Sequence, residues 1–106
     1  MSIARIKTLD NTYKILIIML MNTIEWKPKA VKQLRKVPAQ ANAAIRQSVN
    51  EELVDLERAR NVTRLSNHEF GYRLRVGNYR VLFDYEGGAA CIVSIEEVRK
   101  RDERTY

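Results

Sequence analysis

Three arginines fall within eight residues on two short β-forming runs: Arg73 and Arg75 in Tyr72–Val76, and Arg80 just past Gly77-Asn78. In a strand, Arg73 and Arg75 project from one face while Tyr72, Leu74 and Val76 project from the other. Gly77-Asn78 is a two-residue turn signal, since both residue types tolerate positive φ. The turn leads into a second strand, Tyr79–Tyr85. Whether Arg80 shares the face of Arg73 and Arg75 depends on hairpin register, which the sequence leaves open. A guanidinium offers a planar donor fork that fits two oxygens of one phosphate. Several guanidiniums on one sheet face repel one another unless an anion neutralises them. The competing expectation is ion pairing with Asp84, Glu86, Glu96, Glu97, Asp102 and Glu103.

The rest of the chain adds cations without adding other chemistry. The 106 residues carry a formal net charge of +6, with 30% charged residues, so an anionic partner is expected. From Trp26 to Asn50 there are six basic residues, Lys27, Lys29, Lys32, Arg35, Lys36 and Arg46, and no acidic one. Each lysine alone suits a solvated helix face; clustered, Lys29, Lys32 and Lys36 could attract a phosphate backbone. Arg99, Lys100, Arg101 and Arg104 follow the last strand. The single cysteine, Cys91, excludes an intramolecular disulfide and reads as a small buried core residue. His68 lies in a polar loop and reads as exposed. No Cys/His or carboxylate cluster has ligand spacing, so neither metal nor cofactor is expected.

These residues need a frame to hold them. Thr23–Trp26 reads as a short strand. Pro28 opens a helix, where its missing N–H costs least, with Ala30, Val31, Leu34 and Val37 at helical spacing. Pro38 begins a second helix, with Ala41, Ala44, Ile45, Val49, Leu53 and Leu56 on one face, to about Arg60. A meander follows: Val62–Leu65, Tyr72–Val76, Tyr79–Tyr85 and Ala90–Val98. The expectation is an α+β domain, two helices packed on one face of a twisted antiparallel sheet of about four strands. The other face is left to present side chains. Trp26, Tyr72, Tyr79 and Tyr85 fit the core better than base stacking. Residues 1–20 read as an extension before a domain at 21–106. The apolar run Ile15–Met21 is seven residues, too short to span a bilayer, and a cytoplasmic protein is expected.

The stretch GYRLRVGNYRVLFDYEGG, followed by IVSIEEVRKRDERTY, resembles the C-terminal half of RelE/ParE superfamily toxins, and WKPKAVKQLRKVP resembles their first helix. The resemblance implies a RelE-like fold, a cognate antitoxin as partner, and one of two activities. RelE-type members cleave messenger RNA in the ribosome; ParE-type members inhibit DNA gyrase. It matches Arg73 and Arg75 to basic positions on the strand before the turn, and Arg80 to the arginine after the family's tyrosine. Arg101 matches the arginine of the basic pair, and Tyr106 the C-terminal tyrosine, one residue nearer than the family spacing.

The chemistry so implied is attack of an RNA 2′-hydroxyl on the adjacent phosphate. Arginine stays protonated and is a poor base. Arg73, Arg75 and Arg80 would therefore hold the phosphate, Arg101 would serve the leaving oxygen, and Tyr106 would move the proton. Lys29, Lys32, Lys36, Lys100 and Arg104 would bind nucleic acid. The rival readings are a gyrase inhibitor, a non-enzymatic nucleic-acid-binding or regulatory module, and a toxin that has lost activity.

Overall fold

The computed structural model describes residues 21–87 and 91–101. Its elements are β1 (Thr23–Trp26), α1 (Pro28–Arg35), α2 (Ala39–Glu52), β2 (Val62–Arg64), β3 (Tyr72–Val76), β4 (Tyr79–Glu86) and β5 (Ile92–Lys100). The strands form one five-stranded sheet in the order β1-β5-β4-β3-β2. Strands β2 to β5 are the antiparallel meander read from the sequence. The fifth strand is β1, which pairs parallel to β5 with Thr23 opposite Ile92 and Trp26 opposite Ile95. Parallel neighbours need a long crossover, and here the two helices and the meander supply it. Residues 1–20, read above as an extension, and the tail residues Arg104 and Tyr106 lie outside the described residues.

Helix α1 has Pro28 in its first turn and Lys32 and Arg35 in its last, where cations complement the helix dipole. Pro38 stands at the N-cap of α2, as the sequence indicates. Asn42 donates from Nδ2 to the Leu34 carbonyl at 2.9 Å and so ties the start of α2 to the end of α1. The second helix ends at Glu52 rather than near Arg60. Beyond it, Asn22 donates its backbone N–H to the Val54 carbonyl and its Nδ2 to the Leu53 carbonyl. Those carbonyls are thereby satisfied outside the helix, and turns follow. Ala44, assigned above to the buried face, is exposed; Ile45, Val49 and Leu53 carry that face.

The core lies between the helices and one sheet face: Ala30, Leu34, Ile45, Val49 and Leu53 pack on Leu74, Val81, Phe83, Val93, Ile95 and Val98. Tyr72 stacks on Phe83 with centroids 5.3 Å apart. Trp26, Tyr79 and Tyr85 are half-buried against the same cluster, which is the core role expected of them. His68 is exposed, and its Nδ1 accepts the Phe70 N–H. Cys91 is half-buried rather than fully inside.

Two irregularities set the phase of the strands. Of the turn residues only Gly77 takes positive φ, +55°, the position at which a type II′ turn requires glycine. The β4–β5 register shifts by one between Leu82 and Phe83: Phe83 faces Ile95, yet Leu82 faces Glu97. Glu96 is therefore the extra residue of a β-bulge. It keeps Val98 in the core beside Val93 and Ile95, although the spacing from Ile95 to Val98 is odd.

A side chain at Gly77 would meet no atom within 4 Å, so a substitution there is opposed by backbone strain alone. Gly77→Ala is expected to lower stability by about 1–2 kcal/mol, read as a lower urea midpoint. Gly77→Asn should lose less, because asparagine tolerates the left-handed region. Equal losses in the two variants would contradict the assigned turn.

Candidate functional site

Pairing register decides where the arginines go. Arg75 lies opposite Arg80, and Arg80 lies opposite Arg99. Residues directly opposite in an antiparallel pair share a face, with Cβ atoms about 4.5–5.5 Å apart. Arg75, Arg80 and Arg99 thus form one row across β3, β4 and β5, on the face turned away from the helices. The next row is Thr63, Arg73, Leu82 and Glu97. The hairpin register left open by the sequence therefore places Arg80 with Arg73 and Arg75. Arg101 follows β5 directly, and its backbone N–H is bonded to the Asn78 carbonyl, so it sits at the hairpin end of the arginine row.

The surface beneath these cations is closed to water. Leu82 is only 2% exposed yet is not part of the core cluster, because it points to the arginine face. It lies between Arg73 and Glu97 and forms an apolar floor. Arg73 and Arg80 are half-buried, and Arg75 and Arg99 are exposed. Among the described residues, no carboxylate is within ion-pairing reach of Arg73 or Arg75.

Glu97 is the buried carboxylate of this face. Lys29 of α1 reaches its Oε1 at 2.5 Å, and Arg99 donates to its Oε2. Burial pushes the Glu97 carboxyl up, but the hydrogen bonds and charges of Lys29 and Arg99 outweigh it and hold it below the usual carboxylate range. Asp84, further along the face, accepts the Gly71 N–H at 2.7 Å. At the far end of β4 the Tyr85 phenol is raised above its ordinary value, first by a hydrogen bond with Cys91 and then by burial. It is therefore kept protonated.

Comparison with known proteins bears on what such a face belongs to. The family model described as the ParE toxin of the type II toxin–antitoxin system parDE matches residues 24–104. The chain belongs to that toxin family. Its fold is also similar to the toxin–antitoxin complex RelBE2 of Mycobacterium tuberculosis, with a TM-score of 0.65, 23% identity, and coverage of 78% of this chain and 94% of that one. The RelB–RelE antitoxin–toxin complex of Methanococcus jannaschii matches with a TM-score of 0.55, 23% identity, and coverage of 72% and 88%. At these identities the likeness speaks for the fold, which is the RelE-like α+β arrangement. No curated protein matches the chain.

Within this toxin the remaining candidate residues are dispersed. Lys32 is exposed on α1 and Lys36 at its C-cap, and Lys100 is exposed at the end of β5 opposite Tyr79. Lys29 is exposed on α1 as well, but its ammonium is bound to Glu97. Among the described residues no group of three or more His, Cys, Asp or Glu side chains could hold a metal ion, and no helix is long and apolar enough to cross a membrane. Sequence reasoning missed Arg99 and Glu97 as members of the face. Strict alternation from Val93 and Ile95 would have turned both inward, and only the bulge turns them out.

The Glu97 carboxyl is held below its ordinary value of 4.5, so its stabilising effect is present above that pH and is lost as pH falls through the lower folded value. Lys29 and Arg99 are exposed, so Glu97→Gln should cost about 1–2 kcal/mol at pH 7, less than the roughly 3–5 kcal/mol of a fully buried pair. Urea midpoints of the two proteins across a pH series should converge as the solution is acidified below about 4.5. A gap that stays constant down to pH 2 would show that Glu97 is not ionised in the fold.

Proposed function

We propose that this toxin is an endoribonuclease that cleaves messenger RNA, with the ribosome positioning the substrate. The observation that carries this reading is the cross-strand row of Arg75, Arg80 and Arg99, flanked by Arg73, above an apolar floor. Such an array has a strongly unfavourable self-energy in isolation and becomes favourable around a phosphate.

In the proposed reaction the 2′-oxygen forms a bond to the adjacent phosphorus, and the bond from phosphorus to the 5′-oxygen breaks. The 2′-hydroxyl proton passes to the Tyr106 phenolate, and a proton from solvent water neutralises the departing 5′-oxygen. The products are a 2′,3′-cyclic phosphate and a 5′-hydroxyl. Arg73, Arg75 and Arg80 hold the phosphate and stabilise the charge that gathers on its oxygens in the transition state. Arg101, at the hairpin end of the row, supports the leaving oxygen. Tyr106 would act as base only with its pKa lowered by neighbouring guanidiniums. Lys32, Lys36, Lys100 and Arg104 extend the field that attracts the RNA backbone. Because arginines take the charge, the scheme needs no metal or other cofactor. With no strong general base, most of the rate must come from substrate placement, which is the part assigned to the ribosome. The toxin is proposed to act in the cytoplasm and to be held inactive by a cognate antitoxin; the two similar structures are themselves complexes with antitoxins.

A second reading is inhibition of DNA gyrase. It is favoured by the family match itself, which is to ParE toxins and stops at residue 104, short of Tyr106.

Expression in cells followed by primer extension on a message separates these readings. Wild type should produce defined cuts, and Arg80→Ala should reduce them by about 1–3 decades. Tyr106→Phe should also cut poorly. Toxicity with intact message, together with inhibited supercoiling by purified gyrase, would establish the second reading. Undiminished cutting by both variants would remove the assigned residues from the site.

A further inference from the structure

The pairing of Arg99 with Glu97 could be taken as a neutral surface salt bridge that withdraws Arg99 from any ligand. Charge and geometry argue otherwise. Glu97 is shared: one oxygen serves Lys29 and the other serves Arg99. One carboxylate between two cations leaves a net charge of +1, so the pair does not discharge the row. The Glu97 side chain is 4% exposed, whereas that of Arg99 is 45% exposed. The carboxylate is thus inside and the guanidinium at the rim. Both contacts from Arg99, through Nε and Nη2, go to the same Glu97 oxygen, Oε2. They occupy one edge of the planar group and leave the Nη1 donors and the second Nη2 donor directed elsewhere. A guanidinium held along one edge retains a second edge that can take two oxygens of a phosphate.

The other end of the brace is equally specific. Helix α1 runs along the part of β5 that β1 does not cover. There Gln33 accepts the Val98 N–H at 2.7 Å, and Lys29, one helical turn earlier, closes on Glu97. Burying Glu97 between two cations costs desolvation. What it gains is a fixed direction for the side chain directly opposite Arg80.

We propose that Arg99 is a further phosphate-binding guanidinium of the ribonuclease site, and that Glu97, anchored by Lys29, is the positioning residue that orients it. The inference rests on the phosphate-binding reading of the arginine face given above. It assigns Lys29 to bracing the site from behind instead of contacting RNA.

The test uses the full-length toxin, a single-stranded RNA made uncleavable by 2′-O-methylation, and a cleavage assay in a ribosome-containing translation reaction. Arg80→Ala serves as the reference. Binding is measured across a salt series, and melting temperature reports folding. Arg99→Ala should flatten the log–log salt dependence by about 0.7, the value of one phosphate contact on a single strand. Arg99→Lys should restore the slope while leaving cleavage at least several-fold low, because lysine lacks the fork. Glu97→Gln removes a negative charge, so RNA binding should hold or tighten while the cleavage rate falls about tenfold. Lys29→Met should also lower the cleavage rate, without the tightened binding. If Arg80→Ala flattens the slope and Arg99→Ala changes neither slope nor cleavage, the role of Arg99 is overturned and the phosphate reading stands. If neither arginine variant changes the slope, both are overturned. If Glu97→Gln loses binding and cleavage together, in proportion to a lowered melting temperature, Glu97 is merely structural and the positioning role fails.

Discussion

Like charges placed side by side on a sheet repel, and this molecule is arranged to hold them there. The backbone pairing of β3, β4 and β5 sets the separation of Arg75, Arg80 and Arg99, and the side chains have no say in it. The opposing force is supplied on the other face, where Leu74, Val81, Phe83, Val93, Ile95 and Val98 close on the helices. Every strand that contributes a cation to one side contributes apolar surface to the other. The repulsion is therefore borne by hydrophobic burial, which is larger and has no direction. A sheet solvated on both faces could not sustain such an array.

Much of this was legible because it depends on periods. The alternation of Tyr72, Leu74 and Val76 with Arg73 and Arg75 named both faces of β3, and Gly77-Asn78 named the hairpin. Pro28 and Pro38 marked the starts of both helices. What could not be read depends on contacts between distant segments. The side of Arg80 needed the hairpin register. The end of α2 at Glu52 reflects Asn22, which lies thirty-one residues before Leu53 in the chain. The place of β1 beside β5 needed a parallel pairing that leaves no turn signal. Arg99 and Glu97 were hidden by the bulge, since a single extra residue has no local signature in a run as polar as Glu96-Glu97. Arg101 could be placed at the hairpin end by its bond to Asn78, whereas Tyr106 falls beyond the described residues.

The face also separates two tasks that ribonuclease chemistry usually combines. Guanidiniums bind and stabilise anions across the whole working range of pH, but they do not exchange protons there. The structure is generous in the first capacity and sparing in the second. Tyr85, near the end of β4, has its ionisation pushed away from neutrality by Cys91 and by burial. Glu97, the buried carboxylate, is occupied by two cations and is a weaker base for it. A protein so furnished is suited to gripping a backbone that something else has already placed.

The bulge at Glu96 has a consequence for how the chain tolerates change. Upstream of it, β5 sends odd-numbered residues inward; downstream, even-numbered ones. Straightening the strand with Glu96 kept in the ladder would restore simple alternation and invert everything after it: Glu97 and Arg99 would be driven towards the hydrocarbon interior and Val98 into water. Deleting Glu96, by contrast, would set Glu97 directly after Ile95, opposite Leu82, and leave both surfaces of the strand as they are. What the two surfaces depend on is that Glu96 stays out of the pairing ladder, whichever side chain stands there.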